Sequence, residues 1–243
     1  MYKKLLSSVL VILVLLSTWS AKPIRASAEV NDINGHWAEE DLSKWVEKGI
    51  LLGYQDGTIK PDNNITRAEF VTLINKVFGF YELTQEQFID VENTKWYSDE
   101  ILKARAAGYI AGYENNVFKP ENFITRQEAV VIIAKVFELK SGDNLLSKIS
   151  DGEKVKEYAK ESVNALLEKG YITGYEDGTF RPDNYITRAE TIKILNKVIP
   201  YLYNNKGSYA AEEINGNVLI NSEGVVLANT VVNGDLFLAP GIK

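Results

Sequence analysis

Cysteine is absent from this chain of 243 residues, and histidine occurs once. Without thiols there is no disulfide framework and no thiolate metal site. The single histidine, His36, rules out a histidine metal cluster, and a Ser-His-Asp triad would have to rest on that residue alone. Beside an expected helix start it reads as an exposed side chain. Excess positive charge is missing too: 27 Lys and Arg stand against 33 Asp and Glu, a formal charge of −6, which argues against nucleic acid as a partner. No cofactor or metal is expected. Long apolar runs are confined to the start, where Lys3 and Lys4 precede a mostly apolar stretch from Leu5 to Leu16 and Ala26-Ser27-Ala28 offers a small-residue cleavage site. That stretch is short of the roughly 20 residues a bilayer-crossing helix needs, so residues 1–28 read as a secretory signal peptide. Its removal takes away four basic residues and no acids, changing the charge from −6 to −6 − 4 = −10. The mature chain, from Glu29, is expected outside the cell with no membrane contact.

Repetition is what the chain has in abundance. The segment GYEDGTFRPDNYITRAE, Gly174 to Glu190, recurs as GYQDGTIKPDNNITRAE, Gly53 to Glu69, and as GYENNVFKPENFITRQE, Gly112 to Glu128. Its arginines, Arg67, Arg126 and Arg188, lie 126 − 67 = 59 and 188 − 126 = 62 residues apart, the period of a structural repeat that buries its apolar face against its neighbours. An aromatic stands at the same distance before each copy: Trp37, Trp96 and Tyr158. Apolar residues then follow at helical spacing, Leu42, Trp45 and Val46 in the first copy, Ile101 and Ala104 in the second, Val163, Leu166 and Leu167 in the third. Gly49, Gly108 and Gly170 supply left-handed ends to these helices. A structured loop carries an Asp-Gly turn, Asn115-Asn116 in the second copy, and a Lys-Pro or Arg-Pro step.

A second helix should start at Thr66, Thr125 and Thr187, each followed three residues later by Glu69, Glu128 and Glu190, the spacing of a capping box. Phe70, Leu73, Ile74, Val77 and Phe78 form its apolar stripe, as do Ala129, Ile132, Ile133, Val136 and Phe137, with Ile194, Leu195 and Val198 in the third copy. A unit of about 60 residues buries too little surface to stand comfortably alone. The three second helices are therefore expected to pack as a central bundle, with equivalent clefts between neighbouring lobes.

A cation at the first helical position opposes the helix dipole by several tenths of a kcal/mol, so three arginines there demand compensation. Two readings are open: an internal carboxylate, such as Glu69 or a loop aspartate, or an external anion held jointly by guanidinium and unpaired helix amides. The glutamates read as structural caps. Trp37, Trp96 and Tyr158 read as core plugs or as stacking platforms for a sugar ring, with core packing and partial cleft exposure expected together. Asp32, Asp90 and Asp151, a few residues upstream, either brace a turn or bind ligand hydroxyls.

The Trp/Tyr start, the Gly-Tyr-x-Asp-Gly-Thr-Phe-x-Pro loop and the Ile-Thr-Arg-Ala-Glu helix start together resemble three tandem S-layer homology (SLH) domains, over about Glu29 to Tyr203. The resemblance implies a mainly α, three-lobed pseudo-threefold spindle around a helix bundle, with repeats at 29–83, 84–144 and 145–203. It implies a non-catalytic module on the surface of a Gram-positive bacterium, holding a secondary cell wall polysaccharide attached to peptidoglycan, often through a pyruvylated sugar, with self-assembly into a surface layer open to it. In that family the arginine of the helix-start motif contacts the pyruvyl group, which maps the contact onto Arg67, Arg126 and Arg188. On this reading the triple arginine-to-alanine variant folds normally and no longer sediments with cell wall. The second copy departs from the pattern at Asn115-Asn116, at Gln127 and at Arg105, and the third at Tyr158.

Residues 204–243 differ in composition. A linker-like Asn204 to Ser208 leads into short apolar triplets separated by Asn/Gly turns, which suggests the opening rungs of a β-solenoid or a β-sandwich. The stretch is too small for its own core, so it is a truncated piece or leans on the repeats or on another chain. Two other functions were weighed: a calcium module, although the loop lacks the alternating ligands before its glycine, and a glycosidase using a pair such as Asp90 with Glu128.

Overall fold

The computed structural model describes residues 31–210 and 213–242, so the expected signal peptide lies outside the described residues. Each repeat contributes two α-helices: α1 (Glu39–Glu47) and α2 (Arg67–Phe78), α3 (Ser98–Ala106) and α4 (Arg126–Val136), α5 (Glu157–Glu168) and α6 (Arg188–Val198). Thr66, Thr125 and Thr187 are the N-caps of α2, α4 and α6, and all three capping boxes are complete. Gly49, Gly108 and Gly170 end the first helices at φ 68°, 76° and 69°, a region where a side chain would be strained.

Helices pair across repeats: α2 packs on α3, α4 on α5, and α6 returns to α1. The predicted apolar stripes are buried, with Val136 only partly covered. The second helices are buried beyond those stripes as well, since Val71, Val130 and Ile192 are fully enclosed. One continuous core joins all three repeats.

Backbone hydrogen bonds tie the chain into a closed circuit. Ile65 N–H donates to Ile186 O, Ile186 N–H to Ile124 O, and Ile124 N–H to Ile65 O, each at 3.1 Å. The loops lock in the same sense. Lys60, Lys119 and Arg181, each preceding a proline, sit at φ 51°, 57° and 57°, a conformation that costs about 1–2 kcal/mol per non-glycine residue. Asp32, Asp90 and Asp151 offset this, because their carboxylates accept from the amides of Lys60 (2.7 Å), Lys119 (2.7 Å) and Arg181 (2.9 Å) and from the residue before each. Such charge-assisted bonds contribute about 1.5–3 kcal/mol, enough to hold the strained turn.

The C-terminal segment forms β1 (Tyr201–Tyr203), β2 (Gly207–Ala210), β3 (Glu213–Asn215), β4 (Val218–Ile220), β5 (Val225–Ala228), β6 (Val231–Asn233) and β7 (Leu236–Leu238). Every pairing is parallel: β1–β4–β7, β2–β5 and β3–β6. That is the stacked-rung pattern of a solenoid, not of a sandwich. Of the expected linker, Asn204 to Lys206 connect β1 to β2, and Gly207 and Ser208 belong to β2. The rungs lean on the repeats: Asn221 Nδ2 donates to the final carbonyls of α2, Lys76 O and Val77 O, both at 2.7 Å, and Phe237 meets Phe137 edge-on at 5.2 Å.

Because each repeat completes its neighbours' helix starts, residues 84–144 expressed alone should lack helical structure. Far-ultraviolet circular dichroism checks this, and a cooperative thermal transition in that fragment would contradict it.

Candidate functional site

The three arginines are buried, at 5–6% exposure, and each reaches into the next repeat. Arg67 Nε donates to Phe118 O at 2.8 Å, Arg126 Nε to Phe180 O at 3.0 Å and Arg188 Nε to Ile59 O at 2.7 Å. Their Nη1 atoms pair with Glu128 at 3.4 Å, Glu190 at 3.2 Å and Glu69 at 3.8 Å. The compensating carboxylate is thus the cap of the neighbouring repeat, not that of the arginine's own helix. The helix amides are also taken. Arg67 and Ala68 donate to Asn122 O and Pro120 O, Arg126 and Gln127 to Asn184 O and Pro182 O, and Arg188 and Ala189 to Asn63 O and Pro61 O. The expectation that free helix amides would join the guanidinium around an external anion is corrected on this point, because the adjacent loop carbonyls occupy them.

Glu69, Glu128 and Glu190 do two jobs. One oxygen accepts the N–H of the cap threonine, at 2.8, 2.9 and 2.9 Å. The other faces the arginine and accepts the hydroxyl of Tyr54, Tyr113 or Tyr175. These tyrosines, second residue of each Gly-Tyr loop, also lie under the guanidinium, with ring centroids 4.8, 4.6 and 4.7 Å from Cζ. They were not singled out from the sequence, although their fixed place in every copy was a usable signal. Burial, followed by the hydrogen bond to the glutamate, pushes the Tyr54 and Tyr175 hydroxyls up to about 12 and raises that of Tyr113 as well. At Glu128 burial works upward but is outweighed by Tyr113, the Thr125 amide and Arg67, so its carboxyl titrates below the usual range.

Each arginine–glutamate–tyrosine group lines an open cleft that the one remaining repeat completes with its aromatic. Arg67, Glu128 and Tyr113 meet Tyr158 around about 530 Å³. Arg188, Glu69 and Tyr54 meet Trp96 around about 460 Å³. Arg126, Glu190 and Tyr175 meet Trp37 around about 150 Å³. Trp37, Trp96 and Tyr158 are 59%, 63% and 56% exposed, which rules out the core-plug reading. A lysine three turns into the second helix, Lys135, Lys76 or Lys197, lines each cleft too. Asp32, Asp90 and Asp151 line none of the three, and their oxygens are committed to the loop amides. His36 is half-buried, accepting from Ala38 N–H and bonded to Asp62 at 3.1 Å, where exposure was expected. Among the described residues no group of three or more His, Cys, Asp or Glu could hold a metal ion, and no helix is long and apolar enough to cross a membrane.

The second copy's departures are mutually adapted. Arg105 Nη1 holds Asn116 Oδ1 at 2.9 Å, steadying an asparagine at φ 55° where the other copies have glycine. Gln127 is enclosed and joins Asp183 of the third repeat at 2.6 Å.

Residues 31–71, 87–130 and 148–192 each match the S-layer homology domain, and the chain belongs to that family. It is 33% identical over 164 residues to cell surface glycoprotein 1 of Acetivibrio thermocellus, covering 63% of this chain and 7% of that protein. The cellulosome-anchoring protein of the same organism is 33% identical over 157 residues, 61% of this chain and 35% of the relative. The surface-layer 125 kDa protein of Lysinibacillus sphaericus is 29% identical over 182 residues, 73% and 15%. The chain therefore spans about a third or less of the length of these relatives.

The arginines are structural members, so Arg126→Ala should lower stability by about 3 kcal/mol, since it strands a buried carbonyl and Glu190. A urea unfolding midpoint measures this, and it reverses the expectation that the triple arginine variant folds normally. The tyrosines set an alkaline limit. Their folded values lie above the ordinary value near 10, so the folded state holds the proton longer, and stability is whole below pH 10 and lost between pH 10 and about 12. Thermal midpoints across that window should fall less steeply in a Tyr54→Phe, Tyr175→Phe variant.

Proposed function

We propose that this chain is a non-catalytic wall anchor whose three clefts grip an anionic, pyruvylated secondary cell wall polysaccharide. The observation that carries the reading is one constellation built three times, each cleft drawing on all three repeats. A buried guanidinium and a lysine supply positive charge, and a solvent-facing aromatic supplies a platform for the C–H face of a sugar ring. Lining cations outnumber carboxylates in every cleft although the chain as a whole carries −6. The circular lock of the repeats fits a pseudo-threefold spindle, in which three corresponding sites face outward around one axis. Three modest sites on one rigid body gain from effective concentration against a repeating polymer. Relatives named for anchoring and for surface layers accord with a position at the cell surface of a Gram-positive bacterium and with assembly into a layer.

The exposed aromatics allow a test that leaves the fold intact. A Trp37→Ala, Trp96→Ala, Tyr158→Ala variant should keep its circular dichroism and lose sedimentation with isolated cell wall, and wall stripped of pyruvyl groups should fail to retain the unaltered protein. Full retention of the folded triple variant would overturn the proposal.

A further inference from the structure

We infer that the clefts are not equivalent: those of Arg67 and Arg126 hold the anionic groups of the polymer, and that of Arg188 takes a sugar without a strong charge contact. The inference rests on the anchoring function proposed above and divides it among the sites. Three observations separate the Arg188 cleft. Its guanidinium is spent, since Arg188 Nη2 donates to Leu52 O at 2.8 Å while Nε and Nη1 face Ile59 O and Glu69. Among the described residues Arg67 and Arg126 make no such Nη2 bond to the loop, which leaves that edge to an incoming carboxylate.

The number of lining lysines differs in the same direction. Lys135 and Lys156 join Arg67 against Glu128, and Lys193 and Lys197 join Arg126 against Glu190, whereas Lys76 alone joins Arg188 against Glu69. Of the extra lysines, Lys156 also meets Asp183 at 3.2 Å and Lys193 meets Asp41 at 2.6 Å, so each adds a shared cation and not a free one. At the position of Lys193 the first repeat has Thr72, whose hydroxyl is turned back onto Ala68 O at 2.8 Å. The wall of the Arg188 cleft is also more apolar, because Leu52, 57% exposed, stands where the second and third repeats have Ala111 and Thr173. A carboxylate entering there would find one half-buried lysine and an apolar shoulder. In either other cleft it finds a lysine, a second lysine shared with an aspartate, and an open guanidinium edge, which a carboxylate engages through charge-assisted bonds.

Calorimetric titration of the single variants Trp37→Ala, Tyr158→Ala and Trp96→Ala with purified carboxylate-bearing wall polysaccharide, and with the same polymer after carboxyl reduction, tests the division. Trp37→Ala and Tyr158→Ala should each weaken binding of the charged polymer about tenfold, and Trp96→Ala less than about twofold. Thr72→Lys should strengthen it and steepen its dependence on salt. Equal losses from all three aromatic variants, or no gain from Thr72→Lys, would overturn the division while leaving the anchoring function standing. Unchanged affinity in all three folded variants would overturn both.

Discussion

The structure depends on a guanidinium buried between repeats. An arginine at the first position of a helix is locally unfavourable, and burying it adds a desolvation cost. Both are offset only because the next repeat presents a loop carbonyl, a cap glutamate and a tyrosine ring at the place the side chain reaches. None of these partners lies in the arginine's own repeat. The interaction thus makes the repeat a poor unit and the closed set of three a good one: Arg67 needs Phe118 and Glu128, Arg126 needs Phe180 and Glu190, and Arg188 closes the circuit on Ile59 and Glu69.

The loop geometry follows from the same demand. To aim a carbonyl at the neighbouring arginine and two more at the neighbouring helix amides, the chain before each proline turns through a left-handed residue that carries a side chain. The aspartates brace that turn from behind. A hydroxyl-binding role had been open for Asp32, Asp90 and Asp151 because an acid stands a few residues before the aromatic in every copy. An acid in every copy is equally what a repeated brace requires, and only the partners decide between the two.

Local features were legible in the residues. Helix starts, glycine ends, capping boxes and most core positions rest on interactions within four residues, and periodicity reports these directly. What stayed hidden was which repeat each polar group would face. From Arg67 alone the nearest carboxylate is Glu69, yet that glutamate turns to Arg188, and Glu128 serves Arg67. Val71, Val130 and Ile192 were missed as core because a stripe argument assumes one solvent face, and the second helices have almost none. The tyrosines were missed for a related reason: in a loop reading their place beside glycine suggests a turn, while their function is to support another repeat's guanidinium. The tail resolved to parallel rungs because its 18-residue spacing stacks like on like, as Val218 on Leu236 and Ile214 on Val232.

An acidic protein can still hold an anionic polymer, because range decides. Charges are screened over about 8 Å at physiological ionic strength, so the −6 spread over the surface contributes little inside a cleft, where the cations line the wall itself. The internal glutamate does not cancel them. Its one oxygen is occupied by the cap and the other by the tyrosine hydroxyl and the arginine, which fixes its charge on the floor and leaves the lysines at the rim unpaired by it. On the proposed function, a fixed floor with lysines above it suits a ligand whose carboxylate is attached to a bulky ring, since the aromatic can set the ring's position while a lysine meets its charge. The same lock that holds the fold together therefore shapes the sites, and a repeat cannot lose its neighbour without losing its cleft.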